Sequence, residues 1–320
     1  MPTRKAALEN EHFRIERLAD GVYAAMGTLK GGAGSNAGFV DLGDETLVFD
    51  AFITRAAAAA LRAAAEELTG RTPRYLVNSH GHGDHVNGNA AFLPGAAILA
   101  TAEAAAMMIS QGRAAIDLEE FAANITELEK AIAAAPDDEA RQSYESNLYP
   151  RQWMQKELPV VVSPPTMILD GRLELRGTKR TVELVCVGRA HTAGDIVLLC
   201  PADRVAFIGD LGFFTDRPPF LAPEGNAAAW SSWLRNLEAR DLDRYVPGHG
   251  AIGGAVQLAT LRAFLDAVVA AAGEVAKRNG TVDDLIQRLH ATPYVRWERS
   301  PLYAASLRSA LEHPASQRSA

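Results

Sequence analysis

The chain has 320 residues, of which 48% are apolar and 22% charged, an ordinary globular composition with ample material for a core. A formal net charge of −7 and a pI near 5.7 argue against the basic surface that nucleic-acid binding requires. The N-terminal stretch MPTRKAALENEHFRIERLADG contains no apolar segment, so no signal peptide is expected, and no run of 18 apolar residues announces a membrane span. Cys186 and Cys200 sit in apolar runs and read as buried strand residues. A cytoplasmic location fits this cysteine usage.

Along the chain, FRIERLADGVYAAMG and NAGFVDLG alternate as strands do, and TLVFDA is a short apolar run. The glycine-rich GTLKGGAGSNAG (27–38) lacks the GK[ST] ending of a phosphate loop, and a strand follows it, so it reads as a connecting loop. Residues 54–69 are rich in helix formers and stop at Gly70. PRYLVNS is the next buried strand. Residues 102–157 are helical in composition and interrupt the strand pattern, which makes them an insertion too short for its own core. Strands resume with VELVCVG, DIVLLC and RVAFIGD. Residues 226–241 are helical, RYVPGHG is a strand running into a glycine turn, and a long helix over 255–278, two short helices and a polar tail make up the C-terminal extension, 255–320. No fixed-period repeat is visible. Two sheets covered by helices suit this order better than a doubly wound sheet, whose helices and strands alternate regularly. The chain is expected to form one domain.

His80-Gly81-His82-Gly83-Asp84-His85 follows directly on a strand. Further on, His191 stands in GRAHTAGD, Asp210 in FIGDLGF just after an apolar strand, and His249 in VPGHG, each beside glycine. Neutral imidazole and carboxylate suit zinc and other first-row metals, and a catalytic zinc takes three protein ligands plus water. Five histidines and two aspartates are enough for two ions. Residues two apart in extended chain point the same way. The adjacent Asp84 and His85 point apart and require a sharp bend, which Gly81 and Gly83 are expected to permit. His12, His290 and His313 have no such setting and read as surface or packing residues.

HGHGDH has the HxHxDH pattern of the metallo-β-lactamase-fold hydrolase superfamily, and the His191, Asp210 and His249 pieces follow in that family's order. The resemblance covers residues 12–255. It implies an α/β (α+β) fold, an αββα sandwich with a metal site at one edge. By the same resemblance His80, His82 and His191 bind one metal, Asp84, His85 and His249 bind a second, and Asp210 bridges them. The metals implied are two divalent ions, zinc in the first place, with iron or manganese as alternatives. Asp84 is expected to orient the nucleophile or carry a proton. Members with cysteine at the bridging position degrade β-lactams; Asp210 here favours the branch resembling glyoxalase-II-type thioesterases, lactonases and general metallo-hydrolases. A small ester, thioester, lactone or amide is therefore the expected substrate. β-Lactam hydrolysis, as main or side activity, and an iron-dependent persulfide dioxygenase on the same ligands stay open as alternatives. Neither a nucleic acid nor a membrane is expected as partner, and the oligomeric state is not readable.

Substrate-pocket candidates are the loop 27–38, the segment 211–225 and the insertion. Phe213, Phe214, Phe220 and Trp153 read first as packing, Lys30 and Arg217 as solvated charges, and Met107-Met108 as a helix-packing face.

Overall fold

The computed structural model describes residues 8–113, 117–293 and 301–313. The chain divides into two compact units, Met1–Leu184 and Val185–Ala320.

The first unit carries a seven-stranded sheet in chain order: β1 (Phe13–Ala19), β2 (Val22–Gly27), β3 (Ala37–Asp41), β4 (Thr46–Phe49), β5 (Tyr75–Val77), β6 (Ala97–Ala100) and β7 (Met167–Ile168). Neighbours from β1 to β4 are antiparallel, and those from β4 to β7 are parallel. A parallel pair needs a crossover, and helix α1 (Arg55–Thr69) supplies the one between β4 and β5. Thr54 caps its start by accepting from Ala57 N–H, and Gly70 closes it in the left-handed region at φ 72°. Its alanine-rich face buries Ala57, Ala58, Leu61, Ala64 and Ala65 in a core with Phe39, Val48, Phe52, Leu76 and Ile98. Short α2 (Gly83–Val86) follows β5.

Between the parallel neighbours β6 and β7 lie α3 (Ala102–Arg113), α4 (Leu118–Ala133) and α5 (Asp138–Gln155). The helical stretch expected over 102–157 is thus three helices, with 114–116 outside the described residues. Of the methionine pair, Met108 is buried with Val86, Ala100 and Ala104, and Met107 is half-buried.

Strands β8 (Arg172–Arg176) and β9 (Thr181–Gly188) follow, and the boundary between the units falls inside β9. With β10 (Asp195–Cys200), β11 (Val205–Phe214) and β12 (Arg244–Gly250) they form a five-stranded sheet ordered β12-β11-β10-β9-β8. In the second unit α6 (Ala227–Glu238) is the crossover between parallel β11 and β12, and α7 (Ala255–Ala276), α8 (Val282–Leu289) and α9 (Pro301–Glu312) close the described chain. Trp230, Leu234, Leu237, Leu258, Leu265 and Tyr303 centre this unit's core. Helix α7 is long and apolar enough to cross a membrane by length and composition. Its Leu258, Leu261, Phe264, Leu265 and Val268 are buried in that core, as in the core helix of a globular unit.

Three local expectations change. Asp210 lies within β11 rather than after it, because parallel pairing with β12 continues through two register shifts to Phe214 and Gly250. That pairing also draws all of VPGHG into β12. Cys200 is buried as expected, but Cys186 is only half-buried, although it alternates with buried Val182 and Leu184 along β9.

A charged knot ties the end of β3 to distant chain. The Asp41 carboxylate accepts from Lys179 Nζ at 2.7 Å, from Gly43 N at 2.9 Å and from Arg71 Nη1 at 3.4 Å. Burial works to raise its pKa, but the Lys179 and Gly43 hydrogen bonds and the two cations outweigh it, so the pKa is lowered. A carboxylate lowered on folding stabilises the protein above its unfolded pKa, and that contribution is lost as pH falls through the folded value. Lys179→Met is therefore expected to move the onset of acid unfolding, followed by circular dichroism, to higher pH; superimposable acid transitions would contradict this.

Candidate functional site

The seven expected ligands fall four in the first unit and three in the second. In the first, β5 ends at Val77 and the chain enters the turn that carries His80, His82, Asp84 and His85. His80 and His85 are fully buried. His80 Nε2 stands 3.0 Å from His82 Nδ1, and the His80 and His85 ring centroids are 4.3 Å apart. His82 is the N-cap of α2, so Asp84 and His85 occupy its single turn, with Asp84 Oδ2 3.6 Å from His85 Nε2. The helical turn makes the bend that adjacent ligands require.

Gly81 and Gly83 serve this turn differently from expectation. Neither has positive φ. A Cβ on Gly81 would stand 2.9 Å from Met107 Cβ and Sδ and 3.0 Å from the Ala104 carbonyl. Glycine at 81 thus lets helix α3 pass close under the histidine turn, a packing requirement rather than a backbone one.

The turn is held by a residue that the motif does not contain. Asp50, at the end of β4, is buried and adopts φ 66°, a left-handed conformation that Asp tolerates better than most residues. Its carboxylate accepts from Ser79 N at 2.7 Å and Ser79 Oγ at 2.8 Å, and lies 2.8 Å from His85 Nδ1. Burial pushes its pKa up, against the pull of His85 and Ser79. A carboxylate on Nδ1 fixes the tautomer that presents Nε2 to a metal. The His85 carbonyl accepts from Ala51 N and Asn78 Nδ2, and Asn78 and Asn89 exchange side-chain hydrogen bonds at 2.9 and 3.0 Å. The readable signal for Asp50 was an acid at the end of an apolar strand, the same feature that singled out Asp210.

In the second unit His191, Asp210 and His249 converge. Asp210 Oδ2 stands 3.4 Å from both His191 Nε2 and His249 Nε2. Donors bound at about 2.0–2.1 Å to one tetrahedral ion stand roughly 3.4 Å apart, so both spacings suit a shared cation. Opposite its Nε2, His191 Nδ1 is 2.8 Å from the Phe220 carbonyl and donates to it, which fixes the tautomer whose Nε2 carries the lone pair. Trp230 packs 5.5 Å from the His191 ring and donates Nε1–H to the Leu211 carbonyl. The His191 turn is tied by Asp195, whose two oxygens accept from Thr192 N and Oγ1 at 2.9 and 2.8 Å. Burial, helped by nearby Asp210, pushes the Asp195 pKa up to about 7 against these hydrogen bonds. Gly248 is required beside Asp210, since a Cβ there would collide with Asp210 Oδ1.

Among the pocket candidates, Phe213 stacks on His249 at 5.1 Å and Phe220 works through its carbonyl. Trp153 donates Nε1–H to the Lys30 carbonyl, and Lys30 is exposed as expected. Arg217 is half-buried rather than solvated, and that burial lowers its pKa. His12 is a packing residue, with Nδ1 accepting from Gly32 N and its ring against Trp153.

The sequence profile described as the metallo-beta-lactamase superfamily matches residues 31–249. The chain belongs to that superfamily, and its mixed α/β fold with two sheets is of that class. A comparison with characterised proteins by sequence finds no match. Among solved structures it is similar to the stereoselective inverting sec-alkylsulfatase Pisa1 from Pseudomonas sp., at 15% identity and a TM-score of 0.65, over 94% of this chain and 50% of that one. The chain therefore spans about half the length of that sulfatase. It is also similar to a metallo-beta-lactamase from Erythrobacter litoralis (18% identity, TM-score 0.55, covering 81% of this chain and 98% of that one). A third likeness is to the metallo-beta-lactamase from Pontibacter korlensis (15%, 0.54, covering 79% and 99%).

Asp50→Asn keeps the shape of the carboxylate but offers an N–H to His85 Nδ1, which favours the tautomer protonated on Nε2. Zinc affinity, measured by chelator competition, is expected to fall roughly 10- to 100-fold with the fold retained; an unchanged affinity would remove Asp50 from the site.

Proposed function

We propose that this protein is a metal-dependent hydrolase with a dinuclear site, in which His80, His82 and His191 hold one divalent ion, Asp84, His85 and His249 hold the other, and Asp210 bridges them. The reading places both units in one catalytic domain acting on a small molecule in the cytoplasm, with neither nucleic acid nor membrane as partner. The observation that carries it is the orientation of the donors. His191 is turned by a hydrogen bond on Nδ1 so that Nε2 is the ligand nitrogen, and His85 is turned the same way by Asp50. Histidines kept only for packing need no such fixed tautomer.

Imidazole and carboxylate donors of this kind fit zinc, with iron and manganese as the competing occupants. Two such ions supply an acidic water at neutral pH and a Lewis acid for a carbonyl or similar electrophile. The residues do the rest. Asp84, whose side chain is 26% exposed beside fully buried His85, is placed to orient the attacking water and hold its proton. Phe213 excludes solvent from one side of His249. Aspartate at the bridging position favours an ester, thioester, lactone or amide over a β-lactam. The likeness to an alkylsulfatase over 94% of the chain adds a sulfate ester to the substrates worth testing.

The test is a panel of ester, thioester, lactone, amide, β-lactam and sulfate-ester substrates offered to zinc-loaded and chelator-stripped protein. Turnover on at least one member is expected, lost on stripping and restored by zinc. Asp84→Ala is expected to lower kcat by at least roughly 100-fold and to weaken one ion's binding while circular dichroism stays native. A variant with full activity and full metal content would sink the assignment.

A further inference from the structure

Between β11 and α6 the chain runs over 218–222 with neither helix nor strand, and Pro219, Leu221 and Ala222 are buried there. Buried backbone groups need partners, and Pro218 and Pro219 have no N–H to offer. Helix α9 supplies the partners. Its Tyr303, Leu307 and Ala310 enter the core of the second unit, but Ser306 and Ser309 on the same helix are buried as well. Ser306 Oγ accepts from Leu221 N at 3.0 Å and donates to the Pro219 carbonyl at 3.1 Å. Ser309 Oγ donates to the Ala222 carbonyl at 2.8 Å.

The residue between the two Ser306 contacts is Phe220, whose carbonyl lies 2.8 Å from His191 Nδ1. A carbonyl has no proton to give, so Nδ1 is the donor. The Phe220 carbonyl and the Leu221 N–H belong to one planar peptide unit, and in a trans peptide they point in opposite directions. Holding the N–H on Ser306 therefore aims the carbonyl at His191. The hydrogens run one way through the series: His191 Nδ1–H to Phe220 O, Leu221 N–H to Ser306 Oγ, Ser306 O–H to Pro219 O. Bonds in such a series polarise one another, which strengthens the acceptor that Nδ1–H meets. The same segment also holds the His191 backbone. Ala222 N donates to the His191 carbonyl at 3.3 Å, and a Cβ on Gly225 would collide with that oxygen.

We propose that Ser306 is a positioning residue for the metal site, which keeps the lone pair of His191 on Nε2 by fixing the Phe220–Leu221 peptide. The inference rests on the reading of His191 as a metal ligand given above. Ser306 acts through the peptide, not on a metal or a substrate. Ser309 bonds the same segment from the same helix but stands outside the series. It therefore separates support of the segment from control of the imidazole.

The experiment records imidazole nitrogen chemical shifts of full-length, metal-free protein labelled with nitrogen-15 at histidine, at a pH of roughly 8, where neutral imidazole dominates. Wild type, Ser306→Ala and Ser309→Ala are compared, and His191 is assigned by the signals that His191→Gln loses. Zinc affinity is measured on the same proteins by chelator competition, and circular dichroism checks the fold. Wild type is expected to hold His191 as the Nδ1–H tautomer. Ser306→Ala should admit the Nε2–H tautomer and weaken zinc binding roughly tenfold, while Ser309→Ala leaves both as in wild type. An Nε2–H tautomer in wild type overturns the proposal, whether or not the variants fold. So does a wild-type tautomer or wild-type zinc affinity in Ser306→Ala. An equal change in Ser309→Ala overturns it too, because α9 would then support the segment without directing the imidazole. A Ser306-dependent tautomer in protein that takes up no zinc sinks the metal-dependent reading and leaves the hydrogen-bond series to His191 standing.

Discussion

A buried carboxylate at the end of β4 organises the histidine turn. Asp50 has lost its water, and a buried acid without partners is costly. Ser79 supplies two hydrogen bonds and His85 a third contact, all within 2.8 Å. The left-handed backbone at Asp50 aims the carboxylate at that turn, while its own N–H stays bonded to the Val77 carbonyl and its neighbour Ala51 donates to the His85 carbonyl. The end of β4, the end of β5 and His85 are thereby one polar network. Remove the acid and a buried imidazole loses both its orientation and its tautomer.

The second unit reaches the same end by other means. His191 is aimed by a backbone carbonyl, Phe220, and its turn is locked by Asp195 bonded to Thr192. Asp210 stands within a strand, against a neighbour that has no side chain at Gly248. Within each unit, rigid elements and short turns thus fix the histidines and Asp210.

Much of this was legible in the sequence because it is local. HGHGDH directly after an apolar strand, the alanine-rich α1, the helical stretch 102–157 and the run of apolar strands from VELVCVG onward each carry their own periodicity or composition. What was not legible depends on contacts between distant residues. Asp50 looks like any acid ending a strand until Ser79 and His85 are beside it. Gly81 reads as a hinge, yet its neighbour is Met107 on another helix. Strand β11 was expected to stop before Asp210, but pairing with β12 carries it through two register shifts to Phe214. Arg217 and Arg151 have the charge of surface residues and are half-buried because of what packs around them.

The measurement that bears most directly on the dinuclear reading is elemental analysis of metal per chain, on protein purified without added metal and again after zinc loading and removal of excess. About two zinc ions per chain after loading are expected, as the two donor sets require. Protein that retains no metal after loading would contradict the reading, and one tightly held iron per chain that zinc does not displace would contradict it in favour of oxygen chemistry on His80, His82 and His191.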